Sequence, residues 1–579
     1  MTGVRDIKDT ESASTRDLES MYHAPIATDS GRWAKFKNSF RRQEQEIENL
    51  DGLDDIERAN RGVANGSPLV RDLKNRHLQM ISIGGSVGTG LLIGSGSSLR
   101  TGGPAALIIA WGLVGTMVFS TIHALGELCV EFPVSGAFSS YATRFVDSSW
   151  GFAVGWNYAI MWLIVLPLEL VAAAMSIQYW NTAINPVAWV AIFYVFIFII
   201  NLFGVKGYGE AEFYLAIVKV IAIVGFIILG VVLVCGGGPN HEFIGNRYWN
   251  NPGPFAHGFK GVCTVFVTAS YSLAGSEMVG LAAAEAHNPK KVLPKAIKQV
   301  FWRIFLFFFL SLTFVGLLVP YDSPALLGSG SQTSTSPFVV AIVSSGIKVL
   351  PSIFNAVILI SVVSVGNSAV YGCSRTIQSL GVQGLGPQIL GYVDQKGRPI
   401  AGLACSAVFG LLCFLSAYKN EGEVFAWLLS ISGLSTIFSW FSISLCHVRF
   451  RLALHYNNRP TSDLAFTSVV GIWGSVYSMA FLVLVLGVQF WVALFPVGSS
   501  APDAKNFFQN YLGAFVIIIF YVGHKLYSRN RRLYLNLSEI DLDTGRRVRD
   551  KDELDWEIQQ EKNELEKRPW YVRVMKSIF

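Results

Sequence analysis

The chain has 579 residues and a mean hydropathy of +0.42, with 51% hydrophobic residues and only 15% charged ones. Of its 46 Lys and Arg and 40 Asp and Glu, only 20 and 15 fall in the 447 residues from 77 to 523. Soluble proteins carry charge on roughly 25% of their residues. A soluble enzyme, a nucleic-acid binder and a secreted scaffold are therefore excluded as descriptions of the whole, and the middle reads as a membrane domain between two hydrophilic tails.

A span of the hydrocarbon core needs about 20 mostly apolar residues. In chain order such spans fall at 77–99, 104–131, 151–180, 186–204, 211–234, 258–287, 299–319, 350–374, 400–418, 423–447, 467–494 and 507–526. This predicts an all-α membrane protein: a tail over 1–76, a domain of twelve transmembrane helices over 77–526, and a second tail over 527–579. An even number of spans puts both tails on one side. With the tails inside, the inward loops carry 13 Lys and Arg and the outward loops six, the bias expected of cytosolic loops. The first 30 residues are polar and lack the apolar core of a cleavable signal, so the first span is expected to act as the signal. The seven cysteines lie in or beside apolar runs, with no C-x-x-C pair. That suggests neither a disulfide framework nor a zinc site, and no metal or cofactor is expected.

Two spans suit a continuous helix poorly. Span 1 contains Ile83-Gly-Gly-Ser-Val-Gly-Thr-Gly90, where each glycine costs up to about 1 kcal/mol of helix propensity. Span 6 contains Thr268-Ala-Ser-Tyr-Ser-Leu-Ala-Gly-Ser-Glu277, dense in small and hydroxyl residues. They stand five spans apart, and paired broken helices in corresponding halves point to a transporter site built on an inverted repeat. Backbone groups freed where a helix unwinds find no partner in lipid. Free N–H groups suit a carboxylate and free carbonyls an ammonium, so one site offering both suits a zwitterion. The alternative is that these glycines only permit close helix packing. Gly84-Gly-Ser-Val-Gly88 also fits the nucleophile elbow of serine hydrolases, but without a preceding strand the match is read as chance.

Ionisable residues inside spans are functional candidates. Glu169 is the deepest acid, in the middle of span 3; Glu277 lies just past the break of span 6; Lys219 lies two turns into span 5; Glu127 lies near the inner end of span 2. Burial disfavours the charged form of a carboxyl, so such a group can take up and release a proton as a cavity opens and closes. Lys219 and Glu127 could instead snorkel to the surface, and Glu169 and Glu277 could be structural hydrogen-bond partners. His123 and Arg144 are read as structural or interfacial.

Ordered motifs then carry a resemblance. They include Leu73-Lys-Asn-Arg-His-Leu-Gln-Met80, Leu99-Arg-Thr-Gly-Gly-Pro104, Ala124-Leu-Gly-Glu-Leu128 and Phe132-Pro-Val-Ser-Gly136. Further on come Leu166-Pro-Leu-Glu169, Asn201-Leu-Phe-Gly-Val-Lys-Gly-Tyr-Gly-Glu-Ala-Glu-Phe213, Gly275-Ser-Glu277 and Asn288-Pro-Lys-Lys291. Ser364-Val-Gly-Asn-Ser-Ala369, Ser374-Arg375, Gly523-His-Lys525 and Asp541-Leu-Asp-Thr-Gly-Arg-Arg547 complete the set. From about residue 70 to the end, the chain resembles the fungal amino-acid permeases of the amino acid–polyamine–organocation superfamily, general amino-acid permease type.

The resemblance implies five-plus-five inverted repeats with two extra helices, helices 1 and 6 broken, importing amino acids with protons across the plasma membrane. It places the substrate carboxylate at the amides of Gly88, Thr89 and Gly90. The α-amino group would lie near the carbonyls of Ser86 and of Ser272 to Ala274, with Gly275 in the same break. Tyr271 takes the place of an aromatic gate, Glu277 matches a gating and proton-sensing acid, Lys219 matches a span-5 lysine, and Glu169 the fungal span-3 glutamate. Lys8, Lys35 and Lys37 are plausible ubiquitin acceptors by the same analogy, reached by ubiquitin-ligase machinery through the tails. Some relatives end in Phe-Trp-Cys, whereas this chain ends in Ser577-Ile-Phe579, so lipidation there is not assumed. The implied partners are the amino acid, protons and membrane lipids. Endosomal, Golgi or endoplasmic-reticulum pools would accompany the surface protein. Pocket walls of Ser, Ala, Gly and Tyr favour a broad substrate range; a narrower cationic permease and a non-transporting sensor are the alternatives.

Overall fold

The computed structural model describes residues 72–546, apart from 181–182, 287, 328–335, 418–420 and 530, together with a few short pieces of either tail. Lys8, Lys35 and Lys37 lie outside the described residues, as does most of 551–567. The described residues are helical and contain only two isolated β-bridges.

The principal helices are α1 (Asn75–Gly102), α2 (Pro104–Glu131), α3 (Ser148–Ile177), α4 (Pro186–Leu202), α5 (Gly204–Val234) and α6 (Gly258–Glu285). They continue as α7 (Pro289–Leu318), α8 (Leu350–Val382), α9 (Ile400–Ala417), α10 (Gly422–Tyr456), α11 (Gly471–Leu494) and α12 (Ala504–Ser528). Local chemistry sets many of the ends. The Asp147 side chain caps α3 through the Ser149 amide at 3.0 Å, and Asp503 caps α12 through that of Asn506 at 3.0 Å. Pro104 and Pro186 open their helices at positions where a missing N–H costs nothing.

Eleven of these helices are long and apolar enough to cross a membrane; α4, the fourth expected span, has 17 residues. Two boundaries differ from the expected ones in a way that matters. Span 5 was expected from 211, but α5 begins at Gly204, and α8 runs eight residues past 374 to Val382. In the added stretches Tyr208 of α5 and Arg375 and Gln378 of α8 are buried inside the bundle rather than left at a surface.

Packing puts the broken helices in the middle. The apolar stretch of α1 is 100% buried and that of α6 78%, against 17% for α12. Irregular backbone is tolerated at membrane depth only where protein, not lipid, surrounds it. The α3–α8 pair packs most extensively, α5 lies along α1, and α2 along α6.

Part of the expected second tail is seated on this body. The Leu535 amide donates to the Val146 carbonyl at 2.9 Å, and Leu535, Ile540 and Leu542 are buried. Arg459 makes two hydrogen bonds to Asp543 at 2.7 and 2.8 Å, and Arg546 reaches Glu131 of α2 at 2.9 Å. Partial burial works to raise the Asp541 pKa. Hydrogen bonds from Thr544 and from the Asp543 amide, with the Arg144 charge nearby, outweigh it and hold that carboxyl below the usual range. A piece of the first tail is anchored at the same end of the molecule: Tyr392 donates to the Phe40 carbonyl at 2.6 Å, and Arg144 to Asn60 at 3.1 Å. Leu542→Asp places a charge in an apolar seat and should free the 531–546 segment. The expected result is a melting temperature several degrees lower and new protease cuts in that segment, whereas Leu533→Asp, at a residue 68% exposed, should change neither.

Candidate functional site at the two helix breaks

The glycines of span 1 do interrupt their helix. The first piece of α1 ends at Ser86, Val87 turns extended (φ −88°, ψ 94°), and a wide π-turn covers Gly90–Gly94 before the last piece, Ser95–Gly102. In α6 the helix stops at Leu273, Ala274 is extended (φ −57°, ψ 149°), and helix resumes at Met278. Gly275 has φ +89°, a conformation that costs other L-residues roughly 1–2 kcal/mol.

The two breaks touch each other. A Cβ on Gly275 would fall on the Gly85 backbone, and one on Gly90 would lie 2.6 Å from the Ser272 Cα. Gly88 has no room for a Cβ against Val365 of α8. Small residues at these points are therefore a packing requirement as well as a way of unwinding the chain. Any helix piece that starts or stops leaves N–H or C=O groups without intrahelical partners, so the contact gathers free backbone polarity at the centre of the bundle.

A cavity lies between the breaks, lined among others by Ser86, Gly88, Thr89, Trp162, Glu169 and Tyr271. The space open to the centre of a water-sized sphere is about 10 Å³, close to the least that holds one water molecule. Glu169, from α3, spans both broken helices: it accepts from the Thr89 hydroxyl and from the Tyr271 hydroxyl, the latter at 3.0 Å. Of the other expected site residues, Gly90 and Ala274 also line the cavity. Ser272 packs on Gly90, its hydroxyl bonded to the Thr268 carbonyl at 2.8 Å, and Gly275 packs on Gly85.

The remaining ionisable candidates separate. Glu277 is not among the residues lining the cavity; it closes its own break, accepting from the Gly275 amide at 3.1 and 3.2 Å, Tyr158 at 3.2 Å and the Trp440 indole at 3.2 Å. Lys219 is fully buried and does not snorkel: its ammonium donates to the Gly84 carbonyl at 2.6 Å, just behind the break. Glu127 is brought nowhere near the cavity. It is buried at the tail end of α2, bonded to Arg451 at 2.7 Å and the Ser468 amide at 2.8 Å.

One buried acid beside the site was not singled out from the sequence. Glu212 of α5 is 0% exposed and accepts from the Ser364 hydroxyl, and Gly84 lacks room for a Cβ because the Glu212 carboxyl occupies it. The available signal was its spacing: seven residues before Lys219, two turns along, on the same helix face.

Over residues 77–537 the sequence matches the family model for amino acid permeases. The chain belongs to the amino acid permease family. It is 66% identical to the amino-acid permease GAP3 of Candida albicans over 95% of this chain and 94% of that one. With the general amino-acid permease GAP2 of Candida albicans the identity is 55%, covering 94% and 92%. With the general amino-acid permease GAP1 of Saccharomyces cerevisiae it is 52%, covering 94% and 91%. The permease is thus a multi-pass membrane protein whose broken helices and buried acids lie within the matched region.

Gly275→Ala combines a left-handed backbone with a clash against Gly85, and little monodisperse protein is expected from it by fluorescence size-exclusion chromatography. Gly487→Ala, within α11 with open space around it, should behave nearly as wild type.

Proposed function

We propose that the protein imports L-amino acids of broad range by proton symport, with the cavity at the two helix breaks as the substrate site. The observation that carries this reading is Glu169, a buried carboxyl with no ion-pair partner among the described residues, joining the two broken helices through Thr89 and Tyr271. Such an acid can change protonation as the breaks rearrange. The substrate carboxylate meets the amides of Gly88, Thr89 and Gly90, where the helix restarts and N–H groups point outward. The ammonium faces the carbonyls near Ser86 and those of Ser272 to Ala274, within reach of Glu169. An amino acid is far larger than the water-sized cavity, so binding requires the lining to part. Tyr271, which lines the cavity and donates its hydroxyl to Glu169, is the natural gate.

Transport of amino acids, and their broad range, are supported by the relatives described as general amino-acid permeases. Helix α4 has 17 residues, at the lower limit for a crossing; counting it gives twelve spans and the five-plus-five arrangement with two further helices. The Lys and Arg bias of the loops then puts both tails in the cytosol, with the plasma membrane as the site of uptake and the tails as the contact for ubiquitin-ligase machinery.

Uptake of a panel of labelled L-amino acids into cells lacking their own permeases, at pH 5 and pH 7 with and without an uncoupler, tests the reading. Many substrates should enter, faster at pH 5, and the uncoupler should abolish accumulation. Uptake of lysine and arginine alone would overturn the broad range, and uptake indifferent to the uncoupler would overturn symport. Thr89→Val and Tyr271→Phe each remove a donor to a carboxylate, about 1.5–3 kcal/mol or roughly 10- to 100-fold. Uptake by each variant at equal surface level should fall by that order, and Glu169→Gln should abolish proton-driven accumulation.

A further inference from the structure

The buried acids of the described residues fall into two groups. At the tail end each holds a cation: Glu127 lies 2.6 Å from Arg451, Glu131 2.9 Å from Arg546, Glu285 3.2 Å from Arg375 and Asp147 2.8 Å from Lys525. In each of those pairs the buried carboxylate has its counter-ion, and removing that partner would leave an uncompensated charge. In the centre, Glu169, Glu212 and Glu277 have no ion-pair partner within 4.0 Å among the described residues. Glu169 belongs to the cavity and Glu277 is held by three hydrogen-bond donors, the Gly275 amide, Tyr158 and Trp440. Glu212 belongs to neither situation.

The groups around Glu212 come from three helices. From α8, the Ser364 hydroxyl donates to one oxygen and the Asn367 amide to the other at 3.5 Å; Asn367 is itself held by Asn201 of α4 at 2.8 Å. From α1, the face is Gly84, whose missing Cβ makes the space. From α5 itself come Tyr208, whose hydroxyl is bonded to Ser368 at 3.0 Å, and Lys219. The Lys219 ammonium acts electrostatically on Glu212 and on Glu169. Its hydrogen bond is on the carbonyl of Gly84, the residue against which the Glu212 carboxyl packs.

We infer that Glu212 is a second proton-binding site, placed behind the first half of α1 and coupled to the substrate cavity through Lys219 and the Gly84 carbonyl. The inference rests on the symport reading above. When the Glu212 carboxylate takes up a proton it becomes the neutral acid and its pull on the ammonium ends. Lys219 is then left to Gly84 and Glu169, on the cavity side. Proton binding behind the break and substrate binding in front of it thus act on one ammonium, and by linkage each changes the affinity for the other. Unlike Glu169, Glu212 can change charge without contact with the substrate.

The full chain reconstituted in liposomes allows the test. Accumulation of labelled amino acid driven by a pH gradient is compared with exchange of labelled for unlabelled amino acid without a gradient. Glu212→Gln, which imitates the neutral acid, should keep exchange within about 2-fold of wild type while accumulation falls about 10-fold or more. The pH dependence of its substrate affinity should flatten. Accumulation equal to wild type would overturn the proposal, and so would an equal loss of exchange and accumulation, which marks a structural role. Should that variant not fold, Ser364→Ala removes one donor to the carboxylate and should move the pH of half-maximal uptake upward by roughly one unit; an unmoved profile overturns the proposal. A wild type that exchanges but never accumulates would refute symport itself, and Glu212 with it, whereas a wild type that accumulates confines any failure to Glu212.

Discussion

The contact between the two helix breaks, backbone against backbone, is the constraint from which the rest follows. Gly85 against Gly275 and Gly90 against Ser272 leave no space for larger side chains, so α1 and α6 meet at their unwound points. Unsatisfied backbone groups in lipid cost several kcal/mol each. The broken segments are therefore shut inside the bundle, and the apolar helices α9, α11 and α12 take the outer positions. The tight α3–α8 pair supplies the wall against which the breaks rest. From that wall Glu169 and Val365 reach the cavity.

Charge is handled differently at the two depths of the molecule. Near the tails, buried acids lie against bases, and the pairs bind α2, α10 and the 531–546 segment together. At the centre, carboxyls meet hydroxyl, amide and indole donors instead. Hydrogen bonds of that kind fix a carboxyl in place without fixing its charge, whereas an adjacent guanidinium fixes both. Glu127 illustrates the distinction: as a membrane acid it looked mechanistic, and Arg451 makes it a fastening.

How much of this was legible in the sequence depends on whether the signal was local. The breaks were, because four glycines in eight residues and a run of small hydroxyl residues defeat a helix wherever they occur. Glu169 and Glu277 were, because an acid amid leucines or just after a break is conspicuous. Glu212 was harder to see: with the span expected from 211 it stood one residue inside the end, close to Lys206 and Glu210, where an acid reads as part of the surface. The helix in fact begins at Gly204, since α8 offers Ser364, Asn367 and Ser368 on its facing side. That complementarity between two segments 150 residues apart has no trace in either one alone. The seating of 531–546 was hidden for a similar reason, its three apolar contacts having neither helical nor strand spacing.

The seated segment also changes what the second tail is. Its arginine at 546 holds α2 directly, and its main chain holds the Val146 loop between α2 and α3. α2 packs along α6, one of the two broken helices. A force applied beyond residue 546 by any protein that grips the tail is therefore not absorbed by a slack leash. It is delivered, within two packing contacts, to the helix whose break forms half of the cavity.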